Sequence, residues 1–312
     1  MSAAAPLEAR VAAALARVPA WREAPPRFAL AAAPVASPLH RGVASDCVRV
    51  EPEGGAPVFL KIRHPDMARD VVPWAAEAAR KAASLGVGPR VVLDEDGLLG
   101  LDYLPEPWRY ARLGDLQDPG VMAGILDAKK RLHADAPLGR RFCPFARLDA
   151  LAAEAGAAGV VLPDGTERLV GVAGLIREAI RAAGLDLAFC HNDGVASNVM
   201  LDGAGVRLVD FDLAGDNDPW FDVGVLINEA CAFEAEACAA VEHYAGRFEE
   251  RLLNRCRLYG ALDDLAWGLW GVTRAATSAR TGIEFHKYGT WRLLHARTTL
   301  GARGFETWLR RL

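Results

Sequence analysis

The densest group of reactive side chains is His191-Asn192-Asp193-Gly194-Val195-Ala196-Ser197-Asn198, with Asp210-Phe211-Asp212 beginning twelve residues after Asn198. An Asp, an Asn five residues on and a further Asp suit one task. The first carboxylate can accept the proton of a substrate hydroxyl. The Asn oxygen and the second carboxylate are hard donors of the kind Mg²⁺ takes together with nucleotide phosphates. Phosphoryl transfer asks for positioning and charge neutralisation more than for covalent chemistry. Any one of these residues alone is more often a turn former. The spacing and the strand–turn–strand setting carry the functional reading.

The elements that must hold this group can be read from periodicity. Asn198–Leu201 and Val206–Val209 read as two short strands joined by Asp202-Gly203-Ala204-Gly205. Before residue 104, β-like runs dominate: Asp46–Glu51, Val58–Arg63, Val91–Leu93 and Leu98–Tyr103, with one helix from Pro73 to Leu85. After it the pattern is helical. Asp118-Pro119 forms a cap and first-turn pair, followed at helical spacing by Met122, Ile125, Leu126 and Leu132. Further helices are expected at about 147–158, 167–183, 222–246, 247–259, 261–279 and 290–310. This predicts an α+β chain of two lobes: a small β-rich N-terminal lobe over 1–104 with its own N-terminal helix, a hinge at about 99–105, and a larger mainly helical lobe over 105–312.

Composition narrows the classes. The chain has 312 residues, 52% hydrophobic and 24% charged, with a formal net charge of -4. That is too apolar for a disordered protein and lacks the basic clustering of a nucleic-acid binder. No apolar run is long enough to cross a membrane. The Ala-rich start is interrupted by Glu8, Arg10 and Arg17, so it reads as a short amphipathic helix rather than a signal peptide. Six cysteines without a C-x-x-C spacing read as reduced thiols of a cytoplasmic protein. No zinc cluster, P-loop, complete G-x-G-x-x-G or G-x-S-x-G is present. The sequence carries no signal for oligomeric state.

His-Asn-Asp, four residues and Asn resemble the catalytic loop of the choline/ethanolamine kinase branch of the aminoglycoside phosphotransferase superfamily, whose fold is similar to that of protein kinases. Val209-Asp210-Phe211-Asp212 resembles its magnesium segment, and Asn217 with Phe221-Asp222-Val223-Gly224 resembles the Asn…Phe-Asp-Ile-Gly stretch of choline kinases. The resemblance runs from about residue 35 to 300. It implies a two-lobed kinase-like fold binding Mg·ATP between the lobes. Asp193 would be the catalytic carboxylate, Asn198 and Asp210 the magnesium ligands, and Asp222 a brace for the loop. His40–Asp46, with Ser45, resembles the phosphate-covering loop. Lys61 on Val58–Ile62 would neutralise phosphate charge, with Glu77 orienting it and Arg63 as a competitor. Lys61 and Glu77 each also suit an ordinary solvated position.

Trp267, Trp270, Ser278 and Tyr288 resemble the aromatic run with which choline kinases box a quaternary ammonium. A cation over aromatic faces gains about 0.5–2 kcal/mol per contact when desolvated. Two Trp at helical spacing also suit an ordinary core. Asp212 and Glu229 would add negative charge for an amine. The expected activity is phosphorylation of an amino alcohol such as choline or ethanolamine. Thiamine, an aminoglycoside or a sugar are the alternative acceptors, and a non-catalytic nucleotide-binding module is the rival class. A protein acceptor ranks low without an Ala-Pro-Glu segment, and neither nucleic acid nor membrane insertion is expected.

Overall fold

The computed structural model describes residues 6–36, 41–280 and 282–312. Helix α1 (Leu7–Leu15) precedes strands β1 (Arg27–Ala32), β2 (Ser45–Glu51) and β3 (Val58–Arg63), helix α2 (Ala75–Ser84), and strands β4 (Val91–Glu95) and β5 (Leu98–Asp102). These five strands form one antiparallel sheet in the order β1-β2-β3-β5-β4. Side chains alternate across a strand. Val58 and Leu60 therefore face the buried cluster that α1 caps with Val11 and Leu15. Phe59 and Lys61 face the other way, into a cleft against the helical part.

Beyond β6 (Arg109–Tyr110), the chain forms α3 (Pro119–Ala134), α4 (Pro144–Ala157) and α5 (Thr166–Ala183). Short strands follow: β7 (Ala188–Cys190), β8 (Val199–Leu201), β9 (Val206–Leu208) and β10 (Gly215–Asn217). Then come α6 (Pro219–Ala230), α7 (Glu234–Ala245), α8 (Glu250–Thr277), α9 (Phe285–Leu300) and α10 (Phe305–Arg310). Asp118 caps α3, accepting from the N–H groups of Gly120 and Val121 ahead of Pro119, as the sequence predicts. This is the α+β, two-lobed kinase-like architecture expected. Among the described residues no helix is long and apolar enough to cross a membrane. All six cysteines are unpaired thiols.

Several boundaries differ from expectation, each for a physical reason. The helix expected over 222–246 is two, because the N–H groups of Ala232 and Phe233 turn onto the Glu236 carboxylate, at 2.8 and 3.0 Å, and start α7 afresh. The break expected near Gly260 is absent, and α8 runs unbroken from 250 to 277. Gly260 is there for close approach: a Cβ would lie 2.7 Å from that of Asn228. Gly268, Gly271 and Gly289 likewise let α8 and α9 touch backbone to backbone. The helix expected over 290–310 starts earlier and splits into α9 and α10. The strands not foreseen are β1, whose alanines suggest helix, and the very short β6, β7 and β10.

Asp222, fully buried in α6, ties the helical part together. It accepts from Lys129 (2.9 Å) and His133 (3.0 Å) of α3 and from the backbone N–H groups of His191 and Asn192 (2.8 Å each). Burial opposes ionisation, but Lys129 and His133 outweigh it and hold the carboxyl far below its usual range. A depressed carboxylate stabilises the fold above its unfolded pKa and loses that contribution only as pH falls through the folded value. Asp222→Ala leaves Lys129 buried without its counter-charge. We expect a loss of about 3–5 kcal/mol in urea unfolding at neutral pH; a loss below about 1 kcal/mol would show that Asp222 does not hold the loop.

Candidate active site

The loop after β7 is held in a shape that few residues adopt. Asn192 has φ 64° and Asp210 φ 66°, both in the left-handed region. Asn and Asp tolerate it better than other side-chain-bearing residues. Asn192 donates to the carbonyls of Leu213 (3.0 Å) and Gly215 (3.2 Å) and accepts from Asn217 (2.9 Å). The His191 ring donates to the Val209 carbonyl at 2.8 Å. Burial lowers the His191 pKa, which favours the neutral ring that this single donation needs. The segment carrying Asp193 is thereby fastened to the segment carrying Asp210.

Asp193 is buried, and among the described residues its Oδ1 has no hydrogen-bond partner. Burial pushes its pKa well above the usual carboxylate value, and the charges of Asp210 and Asp263 add to the push. Asn198 opposes the shift through a hydrogen bond to the Asp193 carboxyl. Across the cleft, the Lys61 ammonium lies 2.8 Å from Asp210 and 2.8 Å from Asp212. Burial works against its charge, but the two carboxylates raise its pKa. Asp210 is pushed up by burial, yet Lys61 holds it below its usual range. Asp212, pushed up by burial and then by Asp210, reaches about 6.

These groups lie where two cavities meet. One of about 280 Å³ is walled by Phe59, Leu101, Trp108, Met200 and Val209, with Lys61, Asn198 and Asp210 also lining it. Tyr103 and Leu104, in the segment expected as hinge, line it too. The other, about 40 Å³, is lined by Ser45, Asp70, Asp193, Asp212, Trp267 and Trp270. The two indoles meet edge-on at 5.2 Å, and Tyr288 stands behind them at 6.3 and 6.2 Å. They are packed core rings that also border the cavity.

The structure brings Ser45, Lys61, Asp193, Asn198, Asp210, Asp212, Trp267 and Trp270 together. Two expected neighbours stand elsewhere. Glu77 is half exposed and pairs with Arg140 at 3.3 Å, while Lys61 takes its carboxylates from the helical part instead. Glu229 sits behind the loop that carries Asp193, 3.5 Å from Arg292 and accepting from the Ala196 N–H, and does not line the cavity edged by the indoles. Ser278 donates to Asp66 at 2.7 Å. Gly42 to Asp46 of the phosphate-covering loop are described, whereas its first residue, His40, lies outside the described residues. Sequence reasoning missed Arg147, whose guanidinium lies 4.2 Å from the centre of the Trp267 ring. A lone Arg in a helix has no spacing signal.

Residues 35–259 match the profile of the phosphotransferase enzyme family (APH). The chain belongs to this family. It is similar to a choline/ethanolamine kinase family protein from Mesorhizobium loti, with 27% identity, 97% of each chain covered and a TM-score of 0.77. It is similar in fold to the choline kinase LicA from Streptococcus pneumoniae, with 17% identity, 82% of this chain and 89% of that one covered and a TM-score of 0.69. Over 88 residues, 26% of the chain, it is 28% identical to protein LicA of Haemophilus influenzae, and the match spans 33% of that protein's length. The family match ends before Trp267, Trp270 and Tyr288.

Lys61→Met would leave two adjacent buried carboxylates without their cation. Their pKa values would then rise above the unfolded ones, and such groups cost stability as pH increases. The difference in melting temperature between wild type and Lys61→Met should therefore be larger at pH 8 than at pH 5. An equal difference at both would show that the triad carries little charge coupling.

Proposed function

We propose that the protein transfers the γ-phosphoryl group of ATP to the hydroxyl of a small amino alcohol of the choline or ethanolamine kind. One observation carries this reading: Asp193, whose buried Oδ1 has no partner among the described residues, lines a cavity edged by two indoles that shares Lys61 and Asp210 with a nucleotide-sized cleft. In this reading the hinge at 99–105 separates a nucleotide-clamping lobe, 1–104, from an acceptor-binding lobe, 105–312.

The Asn198 amide oxygen and the Asp210 carboxylate are hard donors lining the same cleft, and they fit Mg²⁺. The ion would neutralise phosphate charge there. Lys61 supplies a second, fixed positive charge, held in place by Asp210 and Asp212. Asp193 orients the acceptor hydroxyl. As the hydroxyl oxygen bonds to the γ-phosphorus, the bond from phosphorus to the ADP oxygen breaks and the hydroxyl proton passes to Asp193. Its raised pKa makes it a better acceptor for that proton than an exposed carboxylate. Six unpaired thiols fit a reducing compartment, and we place the enzyme in the cytoplasm.

The direct test is acceptor-dependent ADP release with Mg·ATP, comparing choline, ethanolamine, thiamine and an aminoglycoside. Asp193→Asn should lower turnover by about 10²–10⁴-fold with nucleotide affinity nearly unchanged; full activity would remove Asp193 from the chemistry. Trp270→Ala should raise the acceptor KM by about 2–30-fold. An unchanged KM with lowered thermal stability would make Trp270 a core residue only.

A further inference from the structure

Among the described residues, the nucleotide-sized cleft contains one cation with no acid to balance it. Arg41 lines the cleft together with Lys61, Asn198 and Asp210. Its backbone is fixed to the start of the loop: its N–H donates to the Val35 carbonyl at 2.8 Å, and its carbonyl accepts from the Val35 N–H at 2.9 Å. Gly42 follows with a left-handed φ of 59°. The Arg41 side chain reaches toward the helical lobe, where its guanidinium carbon lies 5.1 Å from the centre of the Tyr110 ring. Tyr110 lines the same cleft and stands opposite Met200 in the pairing of β6 with β8.

The other cations of the cleft are committed. Lys61 is held by Asp210 and Asp212, and Arg109 by Asp115 at 2.7 and 2.8 Å. Among the described residues the Arg41 side chain makes no hydrogen bond or ion pair, and its Nε is buried without one. An aromatic face attracts a guanidinium but accepts none of its in-plane N–H donors. A polyphosphate brings more negative charge than one Mg²⁺ and a lysine shared by two carboxylates can balance. The planar fork of an arginine matches phosphate oxygens two at a time.

Placement decides which phosphate the fork meets. Gly42 lines both the nucleotide cleft and the cavity that holds Asp193, whereas Arg41 lines the cleft alone. The phosphoryl group to be transferred has to lie beside Asp193. Arg41 therefore stands on the side of the inner phosphates, which stay with ADP.

We propose that Arg41 is a nucleotide-binding residue whose guanidinium leaves the Tyr110 face for the α- or β-phosphate. This rests on the kinase reading and adds a residue to it. Contact with Tyr110 holds the side chain in the cleft beforehand, which lowers the entropy lost when it meets a phosphate.

The test is direct binding by calorimetry, with Mg²⁺ and without any acceptor. ATP, ADP and adenosine are titrated into wild type, Arg41→Met and Arg41→Lys. Arg41→Met keeps the apolar stem over Tyr110. It should weaken ATP and ADP alike by about tenfold or more, and adenosine by less than about twofold. Arg41→Lys, which keeps the charge without the fork, should recover part of the loss. A merely structural arginine would weaken adenosine as much as ATP, because a displaced loop spoils the cleft wall for both. That result overturns the inference. So does an unchanged affinity for all three, or a loss confined to ATP, which would put the guanidinium on the transferred phosphate. Each of these leaves the kinase reading standing, whereas failure of the wild type to bind ATP or ADP overturns both.

Discussion

A single buried carboxylate sets the geometry on which the candidate chemistry depends. Asp222 gathers two cationic or polar side chains from α3 and two backbone N–H groups from the loop that carries Asp193. The loop's first turn needs a left-handed Asn192, a conformation that costs free energy for a residue with a side chain. The bonds from Asp222 and the three made by the Asn192 side chain offset that cost. The constraint also fixes direction. With His191 and Asn192 held from below by α6, the next residue, Asp193, lies at the floor of the cavity rather than in solvent. Gly194 then allows close approach, since a Cβ there would lie 2.8 Å from the Val225 side chain on α6.

The N-terminal sheet meets this frame through charge. Lys61 reaches both Asp210 and Asp212, and the end of α8 grips the sheet's flanking segment from the other side. Arg274 pairs with Asp70, Ser278 donates to Asp66, and Arg280 donates to the Val43 carbonyl in the loop over the cleft. These contacts are polar, and apolar packing accompanies them: Val43 and Met67 join the core around α8, and Ala78, Ala82 and Val87 join the core around α3 and α6.

Much of this was legible in the sequence where short-range pattern decides the outcome. Alternation along Val58–Arg63 places Lys61 opposite the apolar face, and Asp118-Pro119 marks the start of α3. The exceptions share a cause: their structure is set by partners far away in the chain. Pairing with β2 turns the alanine-rich β1 into a strand. Asn228 makes Gly260 a contact point rather than a helix end. Glu77 was matched to Lys61 by order along the chain, but two acids lie closer on the facing lobe. Glu229 has the right charge for an amine, but Arg292 neutralises it behind the loop. Burial there raises its pKa, as it does for Asp264, so Arg292 serves several acids that are costly to ionise.

That surplus of buried acid also constrains what the cavity can accept. Asp193 and Asp212 are both pushed up by burial and by neighbouring carboxylates, and Asp263 by burial despite Arg292 and Arg147. A ligand bringing positive charge beside Asp193 would relieve these acids, because an unpaired charge is expensive to desolvate in a buried site.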